Sequence, residues 1–205
     1  MKTDFPDYIS SMSENLPDTI SEETIIRRCQ EGDHQAFNLL VQRYQKLVYN
    51  FIYRLAPNWR DVDDLAQEVF IRVYKSISML KEAKQFKSWL HRIVINLYYD
   101  EIRKRRRVKE VDLEDNPKIE AEALYATSSG NNPIRSLEEK ELERVLQKAM
   151  NHLSPDYKVA IMLREIQGLS YEEIAQTLKC SVGTVKSRIF RARELLKEEL
   201  REYLQ

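Results

Sequence analysis

The side chains with the most to offer chemically are cationic and clustered. Lys186, Ser187, Arg188, Phe190, Arg191 and Arg193 fall close together, and Arg103, Lys104, Arg105, Arg106 and Arg107 are consecutive. The stretch 179–193 adds Lys179 and contains no acid. Long basic chains on one helix face suit a polyanion. Their charges neutralise phosphates, and their donors reach base edges from within a groove. Between the two blocks, residues 110–139 carry eight acids against Lys118 and Arg135, a net of 2 − 8 = −6. One basic run alone is equally well explained as a solvated helix face. Two runs flanking an acidic tether point to two contacts with nucleic acid. The whole chain is nonetheless neutral: 205 residues, with 33 Lys+Arg against 33 Asp+Glu.

Other chemistry has little support. The sequence has no P-loop, no HExxH and no glycine-rich nucleotide turn, and nothing in it pairs a nucleophile with a base. His34, His91 and His152 are scattered. Glu31 and His34 have an ExxH spacing, but Gly32 and Asp33 interrupt the helix a di-iron site needs, and no second ExxH faces it. Cys29 and Cys180 fit neither a disulfide framework nor a zinc spacing. No apolar run approaches the ~18 residues of a membrane span, and the first residues lack the apolar core of a signal peptide. The expectation is a non-enzymatic, cytoplasmic chain that holds no metal or cofactor and does not insert in a membrane.

These side chains need helices to position them. Only 4 Gly and 6 Pro occur, which disfavours turn-rich β architecture. The predicted fold is all-α: two small helical domains joined by a flexible acidic linker, the second a helix-turn-helix. Residues 1–21 form a polar tail. Residues 22–107 form the first domain. Its apolar stripes run through Phe37, Leu40, Tyr44, Val48 and Phe51, then Leu65, Val69, Phe70 and Val73, then Phe86, Leu90, Ile93, Val94 and Leu97. Residues 108–136, with Pro117, Pro133 and the string TSSGNNP, form the linker. Residues 137–205 form the second domain. Ser154-Pro155 starts a helix that runs to about Gln167 and ends at Gly168. Ser170 and Glu173 form a capping box, and Ser181 caps the basic helix.

The string YEEIA at 171–175, followed by VGTVKSRIFRARE at 182–194, resembles the C-terminal DNA-binding domain of bacterial RNA polymerase sigma factors, in particular the extracytoplasmic-function (ECF) group. DVDDLAQEVFIRVY, at 61–74, is similar to the sigma segment that docks on the polymerase clamp helices. FKSWLHRIVINLYYDEIRKRRR, at 86–107, is similar to the segment that opens and reads the promoter −10 element. The resemblance covers about 22–107 and 137–200. It implies a factor that binds core RNA polymerase, through the clamp helices and the flap, and directs promoter-specific initiation for a stress or envelope-type regulon. Promoter DNA is then a partner, as is an anti-sigma factor. The negative charge of the linker resembles that of RNA and suits the RNA exit path; an ordinary spacer is the alternative.

The resemblance also assigns roles. Asp61, Asp64, Leu65, Gln67 and Glu68 would meet the polymerase, although acids in a first helical turn also suit the helix dipole. Asn96 would contact an extruded −10 base. Tyr98 and Tyr99 could stack on unpaired bases; as neighbours they cannot both face inward. Arg103, Lys104, Arg105, Arg106 and Arg107 would grip phosphates. Lys186, Ser187, Phe190 and Arg191, with Thr184 at the helix start, would read the −35 element in the major groove, while Arg164, Arg188 and Arg193 would contact its backbone. Phe86 and Trp89 share a face with Ile93 and are assigned to packing. Two features depart from the pattern: Lys179 stands where the turn often has Gly, and Ser181 where Pro is frequent. The alternatives are a stand-alone helix-turn-helix regulator, for which 61–74 has no use, and a nucleic-acid enzyme.

Overall fold

The capping residues begin the helices where their chemistry dictates. The computed structural model describes residues 20–57, 59, 61–115 and 137–203, and these are helical without a strand. Helix α1 (Glu22–Gln30) starts at Ser21, whose hydroxyl accepts the Thr24 N–H at 3.2 Å. Helix α2 (His34–Leu55) starts at Asp33, whose Oδ1 accepts the N–H groups of Gln35 and Ala36 at 2.8 and 3.1 Å. The Ala36 N–H and the adjacent Arg28 guanidinium hold the Asp33 carboxyl below the usual carboxylate range. A cap of this kind gives two of the otherwise unpaired N–H groups at the helix start an acceptor. Gly32 takes φ 89° and reverses the chain between the two helices.

Helix α3 (Val62–Ser76) is followed by short 3-10 turns at Ile77–Met79 and Ala83–Gln85, and then by α4 (Phe86–Asp115). Gln30 braces this connection: its Nε2 donates to the Ile77 and Leu80 carbonyls at 3.1 and 2.6 Å. The apolar stripes meet in one core. Ile26, Leu40, Val48, Phe51, Leu55, Val69, Val73, Phe86, Leu90 and Val94 are buried there. Each large side chain so buried contributes roughly 1.5–3 kcal/mol. Helix α4 continues well past residue 107. Residues 108–115, expected to open the linker, are helical instead. The composition turns acidic there, but no Gly or Pro interrupts the chain before Pro117, and charge alone does not end a helix. The rest of the expected linker and almost all of the expected tail lie outside the described residues.

The second domain comprises α5 (Leu137–His152), α6 (Pro155–Ile161), α7 (Tyr171–Leu178) and α8 (Val182–Glu199). Ser154 accepts the Tyr157 N–H at 3.4 Å, with Pro155 at the first helical position. The expected helix to Gln167 divides into α6 and a wider π-type turn, Met162–Ile166, where the Gln167 N–H reaches back five residues to the Met162 carbonyl at 3.2 Å. Gly168 then takes φ 69°. Ala160, Leu163, Ile174, Val185 and Ile189 are buried, and Ala192 packs with Leu153 and Ile161. The two domains touch. Helix α4 lies against α7, and the apolar cluster runs on from one domain into the other.

Candidate nucleic-acid interface

Helices α7 and α8 are joined by a turn that forces an unusual backbone. The Ser170 hydroxyl accepts the Glu173 N–H at 3.1 Å, and the Glu173 carboxylate accepts the Ser170 N–H at 2.7 Å, so the capping box is complete. At its other end α7 closes on Lys179, which adopts a left-handed conformation, φ 53° and ψ 45°. For a residue with a Cβ this costs roughly 1–2 kcal/mol. It turns the chain sharply enough for Ser181 to cap α8, accepting the Thr184 N–H at 3.0 Å. Val185 and Ile189 then point into the core.

The opposite face of α8 is open. Phe190 is 58% exposed, a large apolar ring in water between Lys186 and Arg191. Arg191 is exposed and pairs with no described residue. Lys186 holds its ammonium 5.9 Å from the Tyr171 ring. Thr184 and Ser187 are occupied locally: the Thr184 hydroxyl lies 2.9 Å from Ser181 Oγ, and Ser187 donates to the Thr184 carbonyl at 2.9 Å. The arginines assigned to the DNA backbone are paired. Arg188 donates to Asp156 at 2.6 Å and Arg193 to Glu165 at 2.5 Å. Arg164 donates to the Leu169 carbonyl at 2.8 Å, with its guanidinium 4.8 Å over Tyr171. In the free chain it closes the turn before α7.

On α4, Asn96 is exposed, and its amide has no partner among the described residues. Tyr98 is 6% exposed and packs on Trp59 with ring centroids 5.5 Å apart. Of the two tyrosines expected to stack on bases, this one has its ring in the core, and burial pushes its hydroxyl up to about 12. Tyr99 takes the outer position of the pair. Its hydroxyl donates to Asp156 Oδ1 at 2.7 Å, and burial, then that contact, push its pKa up. In the basic block, Arg106 and Arg107 are exposed without a described partner, while Arg103 pairs with Asp100 and Lys104 with Glu101. Arg105 turns inward onto Asp61, with its guanidinium 4.3 Å over the Trp59 ring. It braces the domain and is not a free phosphate contact. Trp59, alone in a loop, gave no sequence signal for this role.

On α3, Asp64 and Gln67 are exposed. Glu68 pairs with Arg72 at 2.9 Å, and Arg72 also reaches Asp100 at 3.0 Å. Leu65 is 6% exposed and so packs inside the domain. In the free chain it is therefore a core residue, and the turn around it presents Asp64 and Gln67. Asp61 is likewise engaged, by Arg105.

Two family descriptions match the chain: Sigma-70 region 2 over residues 40–108 and Sigma-70, region 4 over residues 143–196. The ECF RNA polymerase sigma-E factor of Escherichia coli strain K12 is 39% identical over 90% of this chain and 95% of its own length. The chain belongs to the ECF sigma factor family. The sigma-E factor of Haemophilus influenzae is 36% identical, over 90% of this chain and 98% of that one. The sigma factor RpoE of Bartonella quintana, solved with the anti-sigma factor NepR, matches at TM-score 0.62 and 30% identity over 80% of this chain and 96% of that one. CnrH, solved with the cytosolic domain of CnrY, has the same fold at TM-score 0.63, 24% identity, 89% of this chain and 99% of that one. As an ECF sigma factor, the chain binds core RNA polymerase and promoter DNA and directs promoter-specific initiation of transcription. The exposed face of α8 therefore belongs to region 4, and α3 and α4 belong to region 2. No helix among the described residues is long and apolar enough to cross a membrane.

Proposed function

We propose that this sigma factor lends core polymerase two promoter-reading surfaces and itself performs no bond chemistry. Residues 22–107 act as the region 2 unit and 137–205 as the region 4 unit. The first turns of α3, through Asp64, Gln67 and Glu68, seat on the polymerase clamp helices. Asn96 and Tyr99 capture unpaired −10 bases, with Arg103, Lys104, Arg106 and Arg107 neutralising the strand. Lys186, Ser187, Phe190 and Arg191 read the −35 element. The carrying observation is the exposed Phe190 ring flanked by Lys186 and by Arg191, which has no partner among the described residues, on a helix presented by a sharp turn. An apolar ring and forked donors on one helix face suit thymine methyls and guanine edges in a major groove. The protein works in the cytoplasm on a stress or envelope-type regulon, and a protein of the anti-sigma class, such as the one bound to the Bartonella relative, restrains it.

Run-off transcription tests the reading. Core polymerase without another specificity factor should initiate from a subset of genomic promoters when this chain is added. Arg191→Ala should relax the −35 preference by about 1–3 kcal/mol, the worth of a good base contact. A silent polymerase, or an unchanged −35 preference in the variant, would overturn the assignment of α8.

A further inference from the structure

Three basic side chains expected at the −35 element converge on one tyrosine. Tyr171 is the first residue of α7, and the Ser170–Glu173 box fixes that turn through both of its hydrogen bonds. The Arg164 guanidinium lies 4.8 Å over the Tyr171 ring, and the Lys186 ammonium lies 5.9 Å from the same centroid. Arg193, besides donating to Glu165 at 2.5 Å, meets the Tyr171 hydroxyl. Arg164 comes from the turn before α7, while Lys186 and Arg193 come from α8.

Lys186 differs from the arginines beside it. Arg188 and Arg193 are each held by a carboxylate. Lys186 has no carboxylate partner among the described residues, and the group it faces is the Tyr171 ring. A lysine carries its charge on a flexible four-carbon stem, so without a partner its tip samples many positions. An ammonium within about 6 Å of a ring centroid is drawn to the negative face of that ring. The ring in turn is held: Arg164 stacks on it while donating to the Leu169 carbonyl at 2.8 Å. Contacts therefore run from a backbone oxygen ahead of α7, through a guanidinium and an aromatic ring, to the tip of a side chain on α8. The Arg164 charge opposes a closer approach by the ammonium, and Lys186 stays exposed.

We infer that Tyr171 is a positioning residue for −35 recognition: its ring, clamped by Arg164, sets where Lys186 points, and so shapes which base Lys186 selects without touching that base. The inference rests on the assignment of Lys186 to −35 reading given above. Ordinary packing accounts for a half-buried tyrosine at a helix start. It does not account for two like charges gathered on one ring, which repel unless the ring offsets them. A side chain already aimed in the free chain has less freedom to lose on binding.

Two measurements test the role, the first without DNA or polymerase. In the NMR spectrum of the full chain, the ring current of Tyr171 should move the Lys186 ε-methylene upfield. The shift should persist in Tyr171→Phe and vanish in Tyr171→Leu, with helical circular dichroism unchanged. The second measurement is binding of the holoenzyme to promoters carrying each single −35 substitution. Lys186→Ala marks the position that Lys186 reads. Tyr171→Leu should cut the preference at that position about two- to fivefold, the span of an exposed cation–π contact, and leave the other positions alone. Tyr171→Phe should keep it. In a Lys186→Ala chain, Tyr171→Leu should change nothing further there. Arg164→Met, which unclamps the ring, should reduce both readouts in the same direction and keeps the test decisive should the leucine variant lose helix. A wild type without the upfield shift, or a loss in Tyr171→Leu spread evenly over all positions, would overturn the inference. A Lys186→Ala chain with its preference intact everywhere sinks the reading of Lys186 and the inference with it. A Lys186-dependent preference that Tyr171→Leu leaves whole sinks the positioning role alone.

Discussion

Arg105 sets one guanidinium nitrogen 2.7 Å from each carboxylate oxygen of Asp61, across 44 residues of sequence. This ties the basic block of α4 to the start of α3 and divides the five consecutive bases into different jobs. Arg105 is a brace, while Arg106 and Arg107 are exposed and have no partner among the described residues.

The division is measurable by salt titration on single-stranded −10 DNA, in the presence of polymerase. Arg106→Ala and Arg107→Ala should each flatten the dependence of log affinity on log salt by about 0.7, the value for one phosphate contact on a single strand. Arg105→Ala should leave that slope in place. It should instead lower stability by about 1 kcal/mol, since the pair is half-exposed and the contact with Trp59 adds a modest cation–π attraction. An Arg105 variant that changes the slope as much as the others would refute the assignment.

Gln67 and Glu68 differ in the same way. Gln67 is exposed, while Glu68 is already paired with Arg72. Gln67→Ala should weaken polymerase binding without moving the melting temperature. Adding Glu68→Ala should weaken it further and release Arg72 from one of its carboxylates. Binding of the free chain to a −35 duplex should be unaffected. An equal loss of both activities would indicate damage to the fold instead.

How much of this the residues declare in advance depends on how local the cause is. The Ser154-Pro155 start and the Ser170–Glu173 box are legible because cap and partner lie within one turn. The strain at Lys179 is equally local: a turn that usually takes Gly carries a side chain, and the structure has it left-handed. Tyr98 and Tyr99 sit about 100° apart on a helix, so the sequence says that one faces inward without saying which. The Trp59 ring, brought in by the fold, decides it. The pairing of Arg105, the capture of Arg164 by the Leu169 carbonyl and the meeting of Tyr99 with Arg188 depend on chain segments brought together by packing. No spacing rule encodes them.

Acid should loosen the molecule through His91. Burial pushes this imidazole down to about 4 from its ordinary 6.5, against the pull of the Gln167 acceptor. The sign follows from the depressed value. Above pH 6.5 the ring is neutral whether buried or exposed, and its contribution is constant. As pH falls from 6.5 towards 4, only the exposed ring takes up a proton, so stability is lost at up to about 1.4 kcal/mol per unit. Denaturant midpoints between pH 7.5 and 4.5 should therefore drop more steeply for the wild type than for His91→Phe. Comparing the two cancels the titrating carboxylates. Parallel curves would show that the ring is not protonated on opening.

Relief of the Lys179 turn gives the opposite effect. Lys179→Gly should raise stability by about 1 kcal/mol, because Gly adopts the left-handed conformation without a Cβ penalty. For a chain of this size that is a rise of roughly 2–4 °C in melting temperature. An unchanged or lower value would mean that the Lys179 side chain contributes something the described contacts do not contain.

The two carbonyls held by Gln30 bear on where this protein can be cut. The stretch matched as region 2 begins at residue 40, yet the amide that secures Ile77 and Leu80 comes from α1. A fragment trimmed to the matched boundary would leave both oxygens without that donor and remove Ile25, Ile26 and Cys29 from the core. A piece for dissection should therefore start no later than Ile20, which packs on the core and accepts Arg43 at its carbonyl just before the Ser21 cap.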